Sequence, residues 1–115
     1  MTSYQNIEVK IRDITAKTAD LAFMNKEQIF DVLATIVTLS DELNNFIRDL
    51  DLEMSDVESK VVMGAVGEKI TASMLALRVK SSIAPLKADK EWAERQVTLL
   101  SEFRMAALAA QRSAE

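Results

Sequence analysis

Ile29, Leu33, Ile36, Ser40, Leu43, Ile47 and Leu50 follow one another at spacings of four and three residues without a slip. Only an α-helix brings such positions onto one face, because its 3.6-residue turn stacks i, i+3, i+4 and i+7, whereas a strand aligns every second residue. Asp31, Thr35, Thr38, Glu42, Asn45 and Asp49 fill the opposite face, as a solvated side requires. Asn25 is placed to cap the start, and Gln28, three residues on, completes a capping box. The spacing therefore predicts a helix from Lys26 to Leu50, about 37 Å long at about 1.5 Å per residue.

The apolar band is wider than that stripe. Phe30, Val32, Val37, Leu39 and Phe46 flank it on both sides. Burying one large apolar side chain gains about 1.5–3 kcal/mol, while ordering any residue costs about 1.5 kcal/mol. Such a helix persists only if neighbours cover nearly all of the band, so it needs helices on two sides. Two glycines and one proline in 115 residues leave too few tight turns for a sandwich or barrel. With 49% hydrophobic and 28% charged residues, the composition is that of one globular domain over residues 1–115.

The other segments read as helices with less redundancy. Between Ser3 and Ala22, "IEVKI" alternates as a strand would, yet Ile7, Ile11, Ile14 and Leu21 also form a helical stripe. Thr2 and Gln5 offer a cap there, and a lone strand would have no partner, so the reading is helix. "SDVE" from Ser55 to Glu58 is a second capping box, predicting a third helix that carries Val57, Val61, Val62, Val66, Ile70, Met74 and Leu77 on its apolar face. That helix contains Gly64 and Gly67, which cost about 1 kcal/mol each against alanine inside a helix. The glycines imply either close approach of another helix or a groove with accessible backbone. Pro85 is expected to break or kink the chain near Ile83, and a fourth helix runs from about Leu86 to Arg112, with Trp92 near its start. The expected fold is all-α: a small antiparallel helical bundle of one short N-terminal helix and three longer ones.

The acidic run "LDLEMSDVE", Leu50 to Glu58, invites a calcium-loop reading. From Asp49, oxygen ligands fit at Asp51 and Glu53, but Met54 stands where a glycine makes the turn and Lys60 where a bidentate glutamate belongs. The calcium reading fails, and helix-corner chemistry remains, with an acidic docking patch as the alternative. The absence of cysteine and histidine removes disulfides, thiolate or imidazole metal sites and the commonest general base. "GAVGEK" lacks the spacing of a phosphate loop. No catalytic residue, metal site or cofactor is therefore expected. An enzyme would have to work through inward-projecting charges, for which Lys69, Arg78 and Lys80 are the ambiguous cases.

A net charge of −4 argues against a nucleic-acid partner. The basic residues Lys87, Lys90, Arg95, Arg104 and Arg112 are interleaved with Asp89, Glu91, Glu94 and Glu102, which reads as a mixed solvated face. No run of about 18 apolar residues is present for a membrane span, and a cytoplasmic location is the default expectation. The expected function is that of a non-enzymatic helical interaction protein, of adaptor, regulator or inhibitor type, that forms homo-oligomers or docks on a protein partner. Its candidate interface residues are Phe30, Val37, Leu39, Phe46, Gly64, Gly67 and Trp92. The alternative is a small-ligand or nucleotide binder with a pocket between helices, lined by Arg78 or Lys80. A third reading is a helical subunit of a nucleoprotein complex.

Overall fold

The computed structural model describes the backbone of residues 3–114 and the side chains of residues 5–114. Its elements are α1 (Ser3–Ala19), a single 3-10 turn (Leu21–Phe23), α2 (Lys26–Gly64) and α3 (Ala72–Ser113). The stripe on the first segment is realised as a helix face: Ile7, Ile11, Ile14 and Leu21 are all buried, while Val9, on the other face, is exposed. The Thr2 cap lies outside the described residues. Asn25 caps α2 as its sequence implied. Its Oδ1 accepts from the Gln28 N–H at 2.9 Å, and the Gln28 Oε1 accepts from the Asn25 N–H at 2.9 Å. Asn25→Ala is accordingly expected to cost about 1 kcal/mol, read as a lower urea midpoint at unchanged m-value.

Three boundaries differ from expectation. Helix α2 runs for 39 residues, straight through Ser55, so there is no corner at the acidic run. Leu50, Met54, Val57 and Val61 continue the spacing of four and three across it, and no glycine or proline intervenes. A cap worth about 1 kcal/mol cannot compete with that continuity. Neither glycine lies in the interior of a helix. Gly64 is the last residue of α2, and Gly67 lies in the reversal that follows with φ +88°, the left-handed region that favours glycine. Nothing lies within 4 Å of a Cβ placed at either one, so no neighbouring helix of the chain explains them. Thr71 then caps α3, accepting from the Met74 N–H at 3.1 Å.

Pro85 neither breaks nor ends a helix, because α3 is continuous over 42 residues with the proline inside it. Proline removes the hydrogen bond to the carbonyl four residues back. Here that carbonyl belongs to Ser81, and both Ser81 and Pro85 are exposed, so water can take the vacated place. Among the described residues there are three α-helices, not four.

The result is not a compact bundle. The long helices α2 and α3 form an antiparallel hairpin, and α1 folds back along one end of it. The Cα radius of gyration is 19.9 Å and the extents are 69 × 25 × 16 Å, against about 13–14 Å for a compact chain of this length. The core lies in the three-helix base. It unites Ile7, Ile11 and Ile14 of α1 with Ile29, Val32, Ile36, Leu39 and Leu43 of α2 and Ala93, Leu100 and Ala107 of α3. Lys10 Nζ reaches Glu42 Oε1 at 2.9 Å, marking the register in which Ile7, Ile11 and Ile14 of α1 are buried against α2. Counting back from that pair, the start of α1 reaches only the level of Asp49 on α2.

Candidate functional site

Past that level the hairpin continues without a third helix. Residues 51–92, counting both helices and the reversal between them, contain no buried side chain. This two-helix arm is held together by half-buried pairs and a few charges. Lys90 Nζ lies 2.7 Å from Asp51 Oδ1 at its root, and Arg78 Nη1 lies 2.8 Å from Glu68 Oε2 near its tip. The Asp51 carboxylate raises the Lys90 ammonium above its ordinary value of 10.5. The unfolded chain gives up that proton first, so the contribution of the Lys90 charge is complete at neutral pH and is lost as pH rises through the raised value.

One side of the arm carries an open apolar groove of about 640 Å³. Leu75, Val79 and Ile83 of α3, spaced four apart, are its half-buried floor. Exposed alanines at 72, 76, 84 and 88 widen it, Val62 of α2 closes one wall, and Glu58, Lys80, Lys87 and Glu91 stand along it. Small residues let another backbone come close, and the aliphatic stems of the lysines extend the apolar surface. The opposite side has a shorter depression beside Val61, Gly64, Met74 and Leu77, with Lys60 and Arg78 at its edge. Leu77 is 62% exposed there, and Val66 at the tip is 72% exposed.

The candidate interface residues separate into groups. Leu39 is 1% exposed and belongs to the chain's own core, and Phe46 and Trp92 pack against that core. α1 covers the flank of α2 that bears Leu39 and Phe46, where the Lys10–Glu42 pair also lies. The other flank stays open: Phe30 is 63% exposed and Val37 51%. Gly64 and Gly67 are exposed at the arm's tip. Arg78 and Lys80, offered together as ligand contacts, line opposite sides of the hairpin, and Arg78 is engaged by Glu68. They do not converge on one pocket.

The acidic run also divides. Asp49, Glu53 and Asp56 share one helix face at i, i+4 and i+7, while Asp51 and Glu58 share another. Asp56 pairs with Lys60 at 2.9 Å, and no group of three or more such side chains is placed to hold a metal ion among the described residues. The basic residues of α3 do not form one track, since steps of five and nine residues separate Lys90, Arg95 and Arg104. No described helix is long and apolar enough to cross a membrane. No protein-family model matches the chain, and no curated protein or solved structure resembles it closely enough to indicate a relationship.

The groove residues Leu75, Val79 and Ile83 were missed in the sequence, where Met74 and Leu77 stood for the apolar face. Their signal was the run of four-residue steps from Leu75 through Ile83. It becomes readable only once α3 is known to begin at Ala72 rather than to continue the phase set by Val57 and Val61.

Proposed function

We propose that the chain is a non-enzymatic helical interaction protein whose working surface is the two-helix arm, acting in self-association or in docking on another protein. One observation carries this reading: an arm spanning residues 51–92 has no buried residue, yet it presents a continuous apolar groove on one face and exposed Met74, Leu77 and Val66 elsewhere. Exposed apolar surface of this extent marks an association site in soluble proteins, and helix-in-groove packing is a recurrent way of filling it. Phe30 and Val37, on the flank of the base that α1 leaves open, form a separate exposed apolar patch.

An open-sided groove with few convergent polar groups supports a small-ligand role less well, because ligand pockets enclose most of their occupant. The test is multi-angle light scattering from low micromolar concentration upward, together with binding of an environment-sensitive apolar dye. A mass above the monomer that grows with concentration is the expected result. A strict monomer that binds dye narrows the reading to docking on another protein. A strict monomer that binds no dye overturns it.

A further inference from the structure

The groove is not equally suited to every helix, and its charges favour a particular one. Resting on the interaction reading above, we propose that its occupant is the same stretch of α3, residues 72–91, of a second copy, seated antiparallel about a two-fold axis that passes between Ser81 and Ser82. Each copy's α3 then lies in the other's groove, and the four arm helices bury together the faces that the lone hairpin leaves open. A two-fold contact must be self-complementary, with residue i meeting residue j and j meeting i.

The register follows from covering the groove with itself. Ala72 and Glu91 are its two ends, so a second copy that spans it fully sets these ends opposite each other. In that register the floor residues Leu75 and Val79 face the second copy's Ala88 and Ala84, large against small along the contact.

The charges then agree. Lys90 and Asp51 are in contact across the hairpin at 2.7 Å. Seven residues from that pair along both antiparallel helices, Glu58 stands level with Ile83. The two-fold brings the second copy's Lys80 opposite Ile83, and so beside Glu58. The reciprocal pair forms at the same time. Among the described residues, neither the Glu58 nor the Lys80 side chain takes part in an ion pair or hydrogen bond within its own chain. The carboxylate of Glu91 meets the start of the second copy's α3, whose first turn carries no acidic residue and whose dipole attracts negative charge. Centring the axis on Lys80 instead would set two ammonium groups against each other. The opposite side of the arm offers no such match, since the charged residues along its depression, Lys60 and Arg78, are already paired with Asp56 and Glu68 of their own chain.

The decisive experiment is a charge exchange read by sedimentation or light scattering. Glu58→Lys and Lys80→Glu each turn two attractions into two repulsions, and each is expected to weaken self-association by about tenfold or more. Mixed in equal amounts, the two variants are expected to associate with each other about as well as the unaltered chain does with itself, because both cross pairs are then opposite in sign. The double variant E58K/K80E is expected to recover likewise. Ala84→Arg, at an exposed position that leaves the hairpin's own packing alone, is expected to abolish association while far-ultraviolet circular dichroism stays unchanged. An oligomer indifferent to A84R and to both reversals overturns the proposed occupancy while the self-association reading stands. So do reversals that weaken association without recovery on mixing. A strictly monomeric unaltered chain also overturns it, and dye binding then decides whether the arm remains a docking surface.

Discussion

Leu39→Ala is expected to lower the unfolding free energy by about 2–5 kcal/mol, a large part of the roughly 5–15 kcal/mol that holds a domain of this size. Leu39 is 1% exposed and sits among the isoleucines of α1 and α2 and Leu100 of α3. Truncation there removes transfer free energy and leaves a cavity that rigid neighbours fill only in part. Phe30→Ala and Val37→Ala, two residues from the same apolar band, should change stability by no more than about 0.5 kcal/mol when measured on the monomer. Association adds to apparent stability by mass action, so urea titrations at several protein concentrations separate the two effects. The Leu39 loss should be the same at every concentration. A Leu39→Ala loss smaller than that of Phe30→Ala would place the base core wrongly.

Pro85→Ala is expected to act in the other direction and stabilise the arm. Proline within a helix costs about 3 kcal/mol through a lost hydrogen bond and a ring clash with the preceding turn. Alanine returns an N–H that can reach the Ser81 carbonyl. Against that gain stands the stiffening proline gives to the unfolded chain, about 0.4–1 kcal/mol, so a net rise of about 2 kcal/mol remains. Slower amide exchange at residues 81–89 and a higher melting temperature would be its signature. A neutral or destabilising outcome would mean that the chain uses a bend at Pro85 for packing.

How much of this was legible beforehand depended on whether a local signal had a competitor. The stripe at Ile7, Ile11, Ile14 and Leu21 and the Asn25–Gln28 box had none that a solitary strand could sustain, and both read correctly. At Ser55 a good capping box competed with an unbroken apolar spacing, and the longer pattern prevailed because every added turn of α2 gains contact with α3. At Pro85 the usual helix-breaking rule met a position facing water, where the lost bond is cheapest. Gly64 and Gly67 carried the true turn signal, but with the reversal already assigned to the acidic run they were read as helical.

The proposed association surface was harder to read for a different reason. The band on α2 announces that two flanks need cover, but which one α1 covers is decided by tertiary packing, here the burial of Ile7, Ile11 and Ile14 in the base core. Leu39 and Phe46 therefore turn inward while Phe30 and Val37 remain outside. The groove along Leu75, Val79 and Ile83 depends on where α3 begins, and no local pattern states that.

On the proposed reading the base folds around its own core, while the arm obtains cover only from another molecule. Hydrogen exchange measured at low micromolar concentration, and again at roughly a hundredfold higher, tests it most directly. Amides of residues 72–91 should gain protection as the concentration rises, while those around Ile29–Leu43 and Ala93–Ala107 stay as they were. Arm amides equally protected at both concentrations would contradict the claim.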